Sequence, residues 1–187
     1  MKNIDVKFKE EQRELLLQCK NKKFIKYKAD PFRFSNTVYN KLGLFIGNNT
    51  YQIRNEIERQ DYFGDTEDVA RFFFEEINKD DIKSGLENIE QIDTIVDSKI
   101  INIYLIQEKQ TLIENNEKTY EVNLTRAIIF KTEDREYAFV KDIWFSEEIE
   151  IIRGNDLVKK LSTEYEKENH EFQDGCILYT ERYIEEL

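Results

Sequence analysis

Apolar residues alternate with polar ones along much of this chain, and the places where that rhythm breaks divide it into elements. Near the start, "NIDVKFK" places Ile4, Val6 and Phe8 on one side, which predicts a short strand with one buried face. "EEQRELLLQCKNK", from Glu10, is made of helix-forming residues without a β-branched one and predicts about three turns of helix. "KKFIKYKADPFRF" reads as a strand broken at Pro31, which is an edge or ends there because proline cannot donate to a sheet ladder, and its lysines suggest a guarded edge. In regular alternation Phe24, Lys26 and Lys28 point one way and Ile25 and Tyr27 the other. A hairpin follows: Val38, Leu42, Leu44 and Ile46 share a face, "GNN" at 47–49 tolerates positive φ, and Tyr51, Ile53 and Ile57 return. "YFGDTEDVARFFFEEIN" fits two patterns. Asp65 or Thr66 caps a helix over 67–78, or Ala70, Phe72 and Phe74 form one face of a strand. Three consecutive phenylalanines favour the strand, over 69–77, in a sheet packed on both sides.

"KDDIKSGLENIEQI" predicts a short helix or a structured connection, and a boundary between two parts of the chain would fall here, near 78–92. Beyond it "SKIINIYLIQ", "KTYEVNL", "RAIIFK", "REYAFVKDIWF" and "EEIEIIR" follow one another, separated by "ENNE", "TED" and "SEE". Parallel neighbours need crossovers of about a dozen residues or more, so separators this short predict an antiparallel meander. "GNDLVKKLSTEYEKEN" predicts a helix capped by Asn155, with Asp156 in its first turn and Leu157, Val158 and Leu161 as its apolar stripe. "GCILYTERYIEEL" suits a last strand or a short helix. The expected fold is α+β in one domain over 1–187: mainly an antiparallel β meander, a helix near the C-terminus and a short N-terminal helix. A faint echo, "NNTYQI" and "NNEKTYEV" each followed by "TED", raises a duplicated hairpin, though chance explains it as well in a chain rich in Asn, Glu and Thr.

Composition narrows the class. Of 187 residues 36% are charged, yet 24 are aromatic, more than a disordered acidic chain carries. No run of 18 apolar residues and no apolar leader is present, so no membrane span and a cytoplasmic location are expected. Cys19 and Cys176 read as separate thiols of a reducing compartment. The abundance of Lys, Ile, Asn and Glu suits an AT-rich bacterial or phage genome. Charge is uneven: residues 1–60 hold 13 basic against 7 acidic side chains, residues 61–187 hold 15 against 32, and the net is −11. Such a split marks two faces suited to different partners, or simply an acidic protein with basic first strands.

Catalytic patterns are mostly excluded. One histidine, His170, rules out a two-histidine metal motif. Its neighbours Glu171, Asp174 and Cys176 match no recognised ligand spacing, and neither a metal nor a cofactor is expected. No phosphate-binding glycine motif exists. Paired carboxylates abound but single out no acid–base couple, which leaves an enzyme with a carboxylate-based site as a minor alternative. The basic patch Lys20, Lys22, Lys23, Lys26 and Lys28 interleaves with Phe24 and Tyr27, as a nucleic-acid surface does, and the acidic portion has the charge to imitate DNA. In "KDIWFSEEIEIIRGN" the single tryptophan, Trp144, and Phe145 fall where the chain turns, followed by Glu147 and Glu148. An indole there plugs the end of a sheet core or anchors a partner. Elimination together with this acidic, aromatic surface points to a non-enzymatic domain that binds another protein, as an inhibitor or immunity-type protein does.

Overall fold

Strand length decides how this chain folds. A computed structural model describes residues 1–32, 35–143, 145–164 and 175–187, and the backbone of 170–173. The elements are β1 (Lys2–Val6), α1 (Glu10–Cys19), β2 (Lys23–Ala29), β3 (Thr37–Tyr39), β4 (Lys41–Ile46), β5 (Asn49–Tyr62), β6 (Asp65–Glu76), β7 (Ile92–Glu114), β8 (Glu117–Thr132), β9 (Glu136–Lys141), β10 (Glu148–Gly154), α2 (Leu157–Thr163), β11 (His170–Gln173) and β12 (Cys176–Glu186). The fold is α+β and mostly antiparallel sheet, with its second helix near the C-terminus. The ladder runs β3-β10-β9-β8-β7-β2-β4-β5-β6. Only Asn40 separates β3 from β4, so the ladder returns on itself at that residue.

The 23-residue β7 is the spine. Its first part, from Ile92 to Lys99, pairs with β2; from Ile100 onward it pairs with β8, and from Tyr104 with β12 as well. One core therefore draws from both sides of the 78–92 segment. Phe24, Tyr27, Leu44, Tyr51, Phe72 and Phe74 meet Ile103, Leu105, Phe130, Phe139 and Ile151, with Leu16 and Cys19 of α1 closing one side. Aromatic rings carry much of the contact: Phe24 lies 5.6 Å from Phe130, Tyr27 6.0 Å from Phe139, and Tyr51 stacks on Phe74 at 5.1 Å. Burying one such ring fully contributes about 1.5–3 kcal/mol. A second cluster seats Leu157, Val158 and Leu161 of α2 on Ile106, Ala127, Ile129 and Val140, so the expected apolar stripe is the one that packs.

Several local expectations need correction. β2 is no edge strand, since it pairs with both β4 and β7. The register shifts between Phe24 and Lys26, so Ile25 breaks the alternation, and Phe24 and Tyr27 both face the core while Lys23, Ile25, Lys26 and Lys28 face out. Val38 is buried but belongs to β3, beyond the corner at Asn40. β5 pairs with β4 only as far as Arg54 and then with β6 alone, which leaves Ile57 42% exposed. Residues 69–76 are strand, as the phenylalanines suggested, but a second layer of sheet is not what covers Phe73. The guanidinium groups of Arg54 and Arg71 do, at 4.9 and 5.7 Å from its ring.

"KTYEVNL" and "RAIIFK" form one strand, β8, in which Arg126 is the extra residue of a bulge opposite β7. The ladder also departs from a simple meander where β1 joins β8 in parallel. Asp156, with φ 59°, occupies the position expected of Asn155 at the start of α2, and the capping group is distant: Glu136 Oε2 accepts from the backbone N–H of Leu157 at 2.6 Å and of Val158 at 3.3 Å. The two stretches of the echo both open a strand after a hairpin turn, but "TED" is strand at 66–68 and runs into a bend after Thr132.

Candidate binding site

The corner at Asn40 lies beside a cleft built from separate parts of the chain. Pro31 takes the chain out of the sheet after β2, and the chain re-enters as β3. β3 lies against β10, with Val38 opposite Ile149. Asn36 extends that pairing: its Nδ2 donates to Glu150 Oε1 at 3.0 Å and to the Ile151 carbonyl at 3.1 Å, and its own carbonyl accepts from the Ile151 N–H at 2.9 Å. Asn40 then turns at φ 65°, a left-handed conformation that asparagine tolerates better than most residues.

Glu147 fastens the turn before β10 to this corner. Its carboxylate accepts from the Tyr39 hydroxyl at 2.5 Å and from Asn40 Nδ2 at 2.8 Å, and its carbonyl accepts from the Asn40 N–H at 3.0 Å. The bond to Glu147 holds the Tyr39 hydroxyl in its protonated form and raises its pKa. Asn55, fully buried in β5, adds the third tie. Its N–H donates to the Asn40 carbonyl at 2.7 Å, and its Nδ2 donates to the carbonyls of Ser146 and Glu148 at 2.8 and 3.2 Å. The 142–148 turn is thus held by side chains from two other strands.

The 78–91 segment closes the other side. Among its described residues Ile82 is buried over Gly43, where an added Cβ would stand 2.5 Å from Ile82 Cδ1. Gly85 lies as closely on Tyr39 and Asn40, 2.9 Å from the Tyr39 ring in the same sense. Glycine at both places lets the segment lie directly on β3 and β4. Between this segment, Pro31 and the β3–β10 pair lies a cleft of about 250 Å³, lined by Asp30, Pro31, Ser35, Thr37, Val38, Tyr39, Leu86, Ile89 and Glu148. A neighbouring cleft shares Leu86 and Ile89 with it and reaches Gln91 and Lys28.

Of the four candidate binding residues, Glu148 lines this cleft, and Glu147 is bonded to Tyr39 of its wall, so the two have different roles. Glu147 is half-buried with both carboxylate oxygens engaged, whereas Glu148 is exposed and faces the cleft. Phe145 stands on the same turn, 51% exposed, beside the exposed Ile143. Trp144 lies outside the described residues, as do the side chains of His170 and Glu171, and Asp174. Sequence reasoning missed Asp30, Asn40, Asn55 and Gln91. The only local signal was Asp30 standing before the proline that ends β2.

Two of the five lysines in the basic patch are paired with acids among the described residues. Lys23 pairs with Asp97 at 2.7 Å, Lys26 pairs with Asp93 at 2.6 Å while lying over the Phe45 ring, and Lys20 donates to the Leu187 carbonyl at 2.8 Å. β7 runs beside β2, and its Asp93 and Asp97 face two of these lysines, which lowers the positive potential at that part of the patch. Among the described residues no three His, Cys, Asp or Glu side chains gather as a metal-holding group, and no helix is long and apolar enough to cross a membrane. Comparison with known proteins returns no matching family model, no matching curated protein and no matching solved structure. The site is read from its own chemistry.

Proposed function

We propose that this chain is a non-enzymatic domain that binds another protein, as an inhibitor or immunity-type protein does, and that it meets a basic partner with the face built around the 142–148 turn and the adjoining cleft. The observation that carries this reading is the bracing of that turn. Side chains from β3, from the Asn40 corner and from β5 fix a surface segment whose outward groups are apolar, at Ile143 and Phe145, and acidic, at Glu148. A surface fixed before binding loses little entropy when a partner docks, and that is where affinity comes from in interfaces of modest area. The net charge of −11 supplies steering toward a basic surface.

The test is kinetic. With a partner captured from the native host, association should slow as salt rises, because the Debye length falls from about 30 Å at 0.01 M to about 8 Å at physiological ionic strength. Glu148→Lys should slow association further and change dissociation less. This variant is preferred to reversal of Glu147, which would also unfasten the corner. Association rates indifferent to salt and to Glu148→Lys would refute the reading.

A further inference from the structure

Two buried acceptor atoms at the adjoining clefts have no donor, one on Asp30, which lines the first cleft, and one on Gln91, which lines the second. Asp30 is 7% exposed and Gln91 6%. Gln91 Nε2 donates to Asp30 Oδ1 at 3.2 Å and to the Lys41 carbonyl at 3.2 Å. That leaves Asp30 Oδ2 and Gln91 Oε1, both buried, without a hydrogen-bond partner. A buried acceptor left unmatched is costly, and a carboxylate oxygen more so than an amide. Glu148 adds a second carboxylate on the open side of the first cleft. Pro31, Leu86 and Ile89 supply apolar walls of the cleft.

The geometry points to a receptor for an arginine side chain presented by the partner protein. This rests on the protein-binding reading above and names the chemistry of that same site. A guanidinium carries five N–H donors in a planar fork and no acceptor, so one group can engage Asp30 and Glu148, the two carboxylates that line this cleft, together. Its methylene stem matches the apolar walls. A lysine ammonium is a compact and strongly hydrated charge, which suits neither the spread of acceptors nor the desolvated floor. The occupant is taken to be part of a protein because the cleft opens beside the braced turn, where a docked chain would already lie.

The probe is N-acetyl-arginine methylamide, followed by amide chemical shifts of the intact protein, with the lysine and citrulline analogues and free arginine as comparisons. The arginine probe should shift amides in residues 30–39 and 84–91, the lysine analogue should bind more weakly, and citrulline, neutral but of the same shape, should leave the spectrum unchanged. Asp30→Asn should weaken the probe about tenfold, the effect of losing one charged hydrogen bond. Should Asp30→Asn fail to fold, Leu86→Lys on the exposed rim should abolish binding with the fold kept. Equal shifts from citrulline, or full binding by Asp30→Asn or Leu86→Lys, would overturn the proposal. Tighter binding of free arginine than of the capped residue would make the cleft a small-molecule site and overturn the assignment to a partner. A captured partner that still binds Asp30→Asn in a salt-dependent way would sink the arginine receptor alone. A probe that binds while no basic partner exists would sink the protein-binding reading alone.

Discussion

Lys141 is the buried ionisable group whose removal should be easiest to read. It ends β9 on the core side, 1% exposed, with Nζ donating to the Ala70 carbonyl and standing 5.3 Å from the centre of the Phe72 ring. The nearby carboxylate is already claimed: Glu108 lies 2.8 Å from Arg182 and 3.9 Å from Arg126. Burial first, and then the charge of Arg126, push the Lys141 ammonium down to about 7 from an ordinary 10.5. Between those two values the unfolded chain holds a proton that the folded chain lacks, so stability rises with pH. The limiting slope is about 1.4 kcal/mol per pH unit, and integration over pH 7 to 9 gives a gain of about 2 kcal/mol. Above pH 9 groups of opposite sign take over. Burial raises Cys19 and Tyr51 to about 12, so the stability they contribute is complete below their unfolded values and is lost as pH rises through the folded ones. The perturbation is Lys141→Met, which keeps most of the volume and removes the charge. It leaves the Ala70 carbonyl without its donor, at about 1–3 kcal/mol, so the diagnostic quantity is the slope and not the stability at any one pH. Urea unfolding followed by far-UV circular dichroism from pH 7 to 9 should give a rising curve for the wild type and a flatter one for Lys141→Met. Parallel curves would refute the account of Lys141 as a buried amine that folds neutral.

Two further substitutions test the corner. Glu147→Gln weakens two charge-assisted bonds to Tyr39 and Asn40, and should cost about 1–2 kcal/mol in thermal or urea unfolding; an unchanged melting temperature would mean that the turn is held by backbone contacts and Asn55 alone. Gly43→Ala places a methyl group against the Ile82 side chain, should cost about 1–3 kcal/mol through overpacking, and should speed amide exchange in residues 78–91; unaltered exchange there would show that the segment does not depend on this contact.

Local alternation carried most of the fold. Strands β7 to β10 and the stripe of α2 follow a period that any register of the same chain would need, and the short separators left antiparallel pairing as the only connection. What misled was irregularity that costs a single residue. The bulge at Ile25 moves Tyr27 from the face of Ile25 to the face of Phe24, and no propensity marks the spot. The corner at Asn40 divides what reads as one strand from Val38 to Ile46. β2 looked like an edge because its strand ends at a proline and is full of lysines. The neighbour that makes it central is the first stretch of β7, some 70 residues away, whose Asp93 and Asp97 answer those lysines.

The site was less legible for the same reason, taken further. Glu147 and Glu148 stood out as a local feature, an acidic pair after two aromatics, but their division of labour depends on Tyr39 and Asn40, more than a hundred positions earlier. Asp30 and Gln91 are separated by 61 positions; each is an ordinary polar residue in its own surroundings, and only burial makes their free acceptors conspicuous. The charge asymmetry also changes meaning once the strands are paired. The excess of lysine before residue 60 and of acid after it does not separate two faces at β2 and β7, where it supplies complementary partners across one ladder. The acid that remains for an outside partner is then the acid with no lysine opposite it, and at the Asn40 corner that means Asp30 and Glu148, which both line the cleft.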